Sequence, residues 1–149
     1  MLSVSVFFNV TSLPDSIYEY TKDSLEHMVK EGAFPDLIQV GNEIINGMLW
    51  PVAKVDPLGM ENWDLFVKLL ESGAKACREI CPKAKIIIHT EKAGEWNKIK
   101  TYYNHLWQLD YDIIGLSYYS MWHKAVGVLA ATLDSLAIEF PDKEVMIVE

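Results

Sequence analysis

The chain has 149 residues, 50% of them hydrophobic, and a net charge of -8 from 13 Lys and Arg against 21 Asp and Glu. That is enough apolar material for one ordinary domain and excludes a disordered segment, while the acidic balance repels phosphate backbones and argues against nucleic acid as a partner. Mean hydropathy is +0.08 and the apolar runs are only a few residues long, so a soluble domain with no membrane partner is expected.

Met1 to Phe8 is apolar but has no basic leader and no small-residue cleavage site, so it is not read as a signal peptide. Asn9-Val10-Thr11 fits the short glycosylation-acceptor pattern. From there, helical stretches alternate with short β-branched runs, the sequence form of repeated βα units around a parallel sheet. The spacing of Ile17, Thr21, Leu25 and Met28 predicts a helix over Asp15 to Glu31, closed by Gly32. A strand is predicted over Leu37 to Gly41. Next comes a helix over Glu61 to Ile80, where Trp63, Phe66, Val67, Leu70, Ala74 and Cys77 form one stripe and Pro82 ends it. A second strand covers Lys85 to His89, a third helix Trp96 to Leu109, and a third strand Ile113 to Tyr118. The last helix, Ala125 to Phe140, places Val126, Leu129, Leu133, Leu136 and Phe140 on one side, and Val145 to Glu149 is the fourth strand. The near-continuous hydrophobicity of the four strands predicts burial on both faces. No linker or internal boundary interrupts the series. Cys77 and Cys81, one helical turn apart, make neither a zinc ligand set nor a CxxC redox pair.

In parallel α/β folds the carboxyl ends of the strands form the binding face, and here each strand ends in polar residues. Asn42-Glu43 follows the first, His89-Thr90-Glu91 the second and Ser117-Tyr118-Tyr119 the third, while Glu149 ends the fourth. Glu43 and Glu149 are therefore expected to face one cleft. Two such carboxyls are what glycosidic hydrolysis needs, one neutral to protonate the leaving oxygen and one anionic to attack the anomeric carbon. Their proximity raises the pKa of one and supplies both protonation states. A glutamate after a strand also serves as a helix cap or a solvated side chain. The 5 Trp and 7 Tyr suit a ring-shaped, uncharged ligand.

The run Val40-Gly41-Asn42-Glu43-Ile44-Ile45-Asn46-Gly47-Met48-Leu49-Trp50-Pro51 resembles the acid/base motif of glycoside hydrolase family 53, the endo-β-1,4-galactanases. Ile114-Gly115-Leu116-Ser117-Tyr118-Tyr119 with Trp122-His123 resembles its sixth strand, and Val145-Met146-Ile147-Val148-Glu149 its seventh strand with the nucleophile. The likeness runs from about Leu13 to Glu149 and leaves residues 1–12 unmatched. It implies that residues 1–149 are a single incomplete catalytic-domain fragment, α/β in class: a partial (β/α)8 TIM barrel from the third helix to the seventh strand. Open strand edges and little activity alone are expected of such a piece.

The resemblance also implies retaining endo-hydrolysis of β-1,4-galactan, the side chains of pectin, by a full-length enzyme that is secreted, periplasmic or at the cell surface, and monomeric. Glu43 would be the acid/base, Glu149 the nucleophile, and Asn42 the holder of the sugar 2-hydroxyl. His89 matches a family histidine that reaches the cleft or supports it. Tyr118 would donate to Glu149 and keep it anionic, and Trp50, Trp122 and His123 lie on loops where rings stack on galactose or pack. No cofactor is implied, and no EF-hand-like ligand set is present. After His89, Thr90-Glu91-Lys92-Ala93-Gly94-Glu95-Trp96 departs from the glycine- and asparagine-rich form of the family, which bears on subsite preference. The other readings are a small doubly wound domain that binds a ligand or partner without catalysis, and, least favoured for want of HExxH-like spacing, a zinc hydrolase using His89, His123 and a carboxylate.

Overall fold

A computed structural model describes residues 12–123 and 125–149; the readings made for Met1 to Phe8 and for Asn9-Val10-Thr11 lie outside the described residues. Helix α1 (Leu13–Lys30) opens with Pro14 in its first turn, where a missing N–H is harmless. It closes at Gly32, whose φ of +85° suits a residue without a Cβ. Strand β1 (Leu37–Gln39) follows, then a short antiparallel ribbon of β2 (Gly47–Met48) and β3 (Ala53–Lys54), then α2 (Trp63–Ile80), β4 (Lys85–Thr90), α3 (Trp96–His105), β5 (Ile113–Leu116), α4 (Val126–Glu139) and β6 (Glu144–Ile147). All four expected strands and all four expected helices are present. The β2–β3 ribbon was not expected, because two-residue strands are too short to show a period.

The four long-range strands form one parallel sheet in the order β1-β4-β5-β6, with Leu37 opposite Lys85, Ile87 opposite Ile113 and Ile113 opposite Glu144. The order follows the chain without reversal. A doubly wound sheet needs a switch point where the order reverses, so that reading is ruled out; successive right-handed crossovers in one direction build the wall of a (β/α)8 barrel. Four strands of such a barrel lie among the described residues, and the fold is a partial barrel.

Burial divides the sheet. In β4 every residue after Lys85 is buried, and in β5 every residue is. In β1 and β6 none is fully buried, Leu37 and Ile147 being 44% and 43% exposed. The expectation of burial on both faces thus holds for the central pair and is corrected for β1 and β6, which among the described residues pair with a strand on one side only. Of the predicted helix stripes, Trp63, Phe66, Leu70, Ala74 and Cys77 are buried as expected. Met28 and Val126 are exposed despite their spacing. Trp63 stacks on His105 at 3.9 Å between centroids and meets Phe66 and Tyr102 edge-on, which ties α2 to α3 behind the sheet. Arg78 on α2 reaches Asp110 and Asp112 ahead of β5, at 2.8 and 2.9 Å, so the helix and the centre of the sheet are joined by a forked charge-assisted contact as well as by packing.

Candidate active site

The carboxyl ends of the four strands lie side by side. Gly41, with φ of +84°, turns the chain sharply out of β1, and Glu43 is itself held at a positive φ of 49°. That is an uncommon conformation for a residue with a side chain, kept only where the surroundings impose it. Here the imposing contact is the backbone bond from Ile44 N to His89 O, 3.0 Å, which pins the turn to the end of β4. At the other edge, Val148 N bonds Leu116 O and Tyr118 N bonds Glu149 O at 3.0 and 2.7 Å, so the residues past β6 are fixed to those past β5.

Glu43, His89 and Glu149 converge: one carboxylate oxygen from each glutamate and one ring nitrogen lie within 4.8 Å of one another. Ser117 Oγ donates to Glu43 Oε1 at 2.7 Å, and Tyr119 OH donates to Glu149 Oε2 at 3.1 Å. His89 is fully buried, with Nε2 at 2.8 Å from Ser117 Oγ and Nδ1 at 3.2 Å from Asn42 Oδ1. Gln39 Nε2 donates to the same Asn42 oxygen at 3.0 Å. Gly115 gives His89 its room: a Cβ there would come within 2.7 Å of Ile87 Cγ2 and 3.4 Å of His89 Cα. Burial lowers the pKa of His89, opposed by the charges of Glu149 and Glu43.

Beside this cluster an open pocket of about 340 Å³ is lined by Glu43, Glu91, Lys92, Tyr119, Trp122 and His123. Glu91, where the sequence departs from the family form, takes backbone hydrogen bonds from its own N–H and that of Ile45, yet its Oε2 is buried with no partner among the described residues. Burial raises its pKa, with Glu43 adding to the rise. His123 is nearly buried and its Nδ1 accepts the backbone N–H of Tyr119 at 3.0 Å.

Of the residues singled out in the sequence, Asn42, Glu43, His89 and Glu149 are brought together and Trp122 and His123 line the adjoining pocket. Tyr118 meets Glu149 through its backbone, and Tyr119, the next residue, puts its hydroxyl on that carboxylate, past the end of the strand pleat at Leu116 where alternation no longer predicts facing. Trp50 stays on the ribbon, outside the pocket lining. Its indole N–H donates to Asn46 O, and Lys54 sits 4.5 Å over its ring. The sequence reading missed Ser117 and Gln39. Ser117 carried a signal, a lone polar residue at the end of a fully apolar run; Gln39 carried none beyond its place in a short strand.

Glu43, His89 and Glu149 have the spacing of a metal ligand set, but both ring nitrogens of His89 are engaged by Ser117 and Asn42, so the cluster is knit as a proton network. His123, with Nδ1 held by Tyr119 N, is no part of it.

The profile of glycosyl hydrolase family 53 matches residues 6–149. The chain is 28% identical over 151 residues to an arabinogalactan endo-β-1,4-galactanase of Thermothelomyces thermophilus, covering 95% of this chain and 44% of that one. It is 31% identical over 155 residues to a probable arabinogalactan endo-β-1,4-galactanase A of Aspergillus flavus, covering 95% and 42%. Among solved structures it superposes on a fungal β-1,4-galactanase with a TM-score of 0.84 at 27% identity, over 97% of this chain and 45% of that one. On the Ignisphaera aggregans GH53 catalytic domain the TM-score is 0.81 at 29% identity, over 97% and 39%. The chain thus spans less than half the length of the relatives it matches. With its partial barrel, its strand-end glutamates and this match over almost its whole length, the chain belongs to glycosyl hydrolase family 53.

Proposed function

We propose that the protein of which this chain carries the paired carboxylates hydrolyses β-1,4-galactosidic bonds within galactan and type I arabinogalactan, as found in pectin, with retention of configuration. The observation that supports this most is the approach of one Glu43 and one Glu149 oxygen to within 4.8 Å, close to the roughly 5–5.5 Å carboxyl separation of retaining enzymes and short of the roughly 6.5–9.5 Å that leaves room for an inverting water. The names of the relatives supply the substrate class.

In this reading each carboxylate has one oxygen held by a hydroxyl. Ser117 is bonded to Glu43 Oε1, and the Glu43 carboxyl gives its proton to the leaving glycosidic oxygen. Tyr119 holds Glu149 Oε2, so Glu149 Oε1 attacks the anomeric carbon as the C–O bond breaks, and a glycosyl ester forms. Water then attacks the same carbon, its proton passes to Glu43, and Glu149 departs. Asn42 takes the sugar 2-hydroxyl, a contact that strengthens as charge develops on the ring. Trp122, 78% exposed above the pocket, offers a stacking face to a sugar unit. The protein acts as a monomer outside the cell, where pectic polymers are found, and takes neither nucleic acid nor membrane as a partner.

The experiment is sugar release from pectic galactan by the full-length protein and two variants. Glu43→Gln should lose about 10²–10⁴-fold, the range for general acid–base groups, and Glu149→Gln on the order of 10⁴-fold or more, as for a nucleophile. Unchanged release in both variants would overturn the assignment.

A further inference from the structure

The hydrogen bonds around His89 leave few ways to place protons. Asn42 Oδ1 accepts from Gln39 Nε2 and lies 3.2 Å from His89 Nδ1; a carbonyl oxygen donates nothing, so Nδ1 carries the hydrogen. His89 Nε2 then faces Ser117 Oγ at 2.8 Å, and that hydroxyl is also 2.7 Å from Glu43 Oε1. A serine has one proton and acceptor capacity on the same oxygen. It points toward Glu43 when the carboxyl is an anion, and Nε2 must then donate to it. It points toward a bare Nε2 when Glu43 Oε1 carries a proton and donates in turn. Both arrangements satisfy every partner from Gln39 to Glu43 without turning a side chain, and they differ only in where one proton resides.

We propose that Ser117 and His89 are positioning residues of the acid/base: the Ser117 hydroxyl passes one proton between Glu43 Oε1 and His89 Nε2, so that carboxyl and imidazole gain and lose protons as one coupled pair. The transfer is balanced. The Oε1–H bond breaks as a new Oγ–H bond forms, and the proton formerly on Oγ goes to Nε2, leaving a carboxylate and an imidazolium in place of two neutral groups. Burial of His89 disfavours that charge, while the carboxylates of Glu43, past β1, and Glu149, past β6, favour it. The other titratable or charged groups lining the pocket by Glu43 are Glu91, Lys92, Tyr119 and His123. The strained φ of Glu43 and the Ile44–His89 backbone bond keep the donor and acceptor distances fixed. Gln39 and Asn42 form the fixed end of the array, the part that holds the Nδ1 hydrogen in both states.

The inference rests on the reading of Glu43 as acid/base, but its first test does not need hydrolysis. Nitrogen NMR of the His89 ring across the acid-to-neutral range should show Nδ1 protonated throughout, with Nε2 changing at the same midpoint as the Glu43 carboxyl carbon. A neutral ring with its hydrogen on Nε2 and Nδ1 bare, or separate midpoints for the two groups, overturns the proposal while leaving the hydrolase reading intact. Ser117→Ala should separate the two midpoints and move the limb of the kcat/KM pH profile that belongs to Glu43, and Ser117→Thr, which keeps a hydroxyl, should restore both. A Ser117→Ala protein with the wild-type midpoints and pH profile also overturns it. If Ser117→Ala does not fold, the wild-type ring spectrum decides alone.

Discussion

Strands β4 and β5 lie inside the sheet with almost every residue buried, whereas β1 and β6 lie at its margins and leave Leu37 and Ile147 nearly half exposed. The chemistry is divided along the same line. The residues at the carboxyl ends of the central strands, His89, Thr90 and Ser117, are fully buried and hold other groups in place, while the two carboxylates follow β1 and β6. A reacting group must reach a substrate and a supporting group must not move, and in this chain the buried residues between the two carboxylates do the holding. The margins take their placement from the centre through Ile44 N to His89 O, Tyr118 N to Glu149 O, and Ser117 Oγ to Glu43 Oε1.

The contrast is sharpest in stability. Ile88→Ala, deep in β4 at 0% exposure, should cost about 2–5 kcal/mol, the range for a large-to-small change in a packed core. In the 149-residue chain by itself, Ile147→Ala, on β6, should cost about 1 kcal/mol or less, because its side chain there keeps much of its contact with water. Urea midpoints of the two variants measure this, and equal losses would remove the distinction between centre and margin.

A smaller effect is expected where a marginal carboxylate is steadied from its own side of the cleft. Tyr119→Phe removes the hydroxyl on Glu149 Oε2 and should lower kcat about 10-fold with KM little changed, since a hydrogen bond to a charged group in a partly wet site is lost. The tyrosine is held above its ordinary pKa, chiefly by this bond to Glu149, so it remains a donor through the working range. A KM rise with unchanged kcat would place Tyr119 on the substrate instead.

The division of depth was partly legible in the sequence. Strand and helix order, and the polar residue at each strand end, followed from period and from the β-branched runs at Leu37, Lys85, Ile113 and Val145. Glu43 and Glu149 stood out because a carboxylate at a strand tip in a parallel fold faces the cleft. What period cannot report is which strand lacks a neighbour, since Leu37-Ile38 and Val145-Met146-Ile147 read as apolar as Ile86-Ile87-Ile88; exposure depends on pairing, which is a property of the sheet. Nor could alternation choose between Tyr118 and Tyr119, because the two-residue period ends with the strand. The ribbon at Gly47–Met48 and Ala53–Lys54, which keeps Trp50 away from the pocket, lies below the length at which any period is visible.

The gentlest probe of the buried centre is pH. Burial lowers the folded-state pKa of His89 below its ordinary 6.5, so the unfolded chain binds the proton more readily. The stability contributed by the neutral ring is complete above about 6.5 and is lost as pH falls from there toward the folded value, by no more than about 1.4 kcal/mol per pH unit for one proton. Thermal or urea unfolding from pH 7.5 to 5 checks it, with His89→Gln as the comparison; a slope unchanged in that variant would assign the dependence to other groups.

In the proposed mechanism two carboxylates, past β1 and β6 and set within 4.8 Å of each other, act on opposite faces of one sugar in turn. Proton NMR of the first galacto-oligosaccharides released by the full-length protein, recorded before mutarotation, tests it most directly. The β anomer should appear first, as two successive displacements require. First appearance of the α anomer would mean a single displacement by water, and the nucleophile assigned to Glu149 would be contradicted.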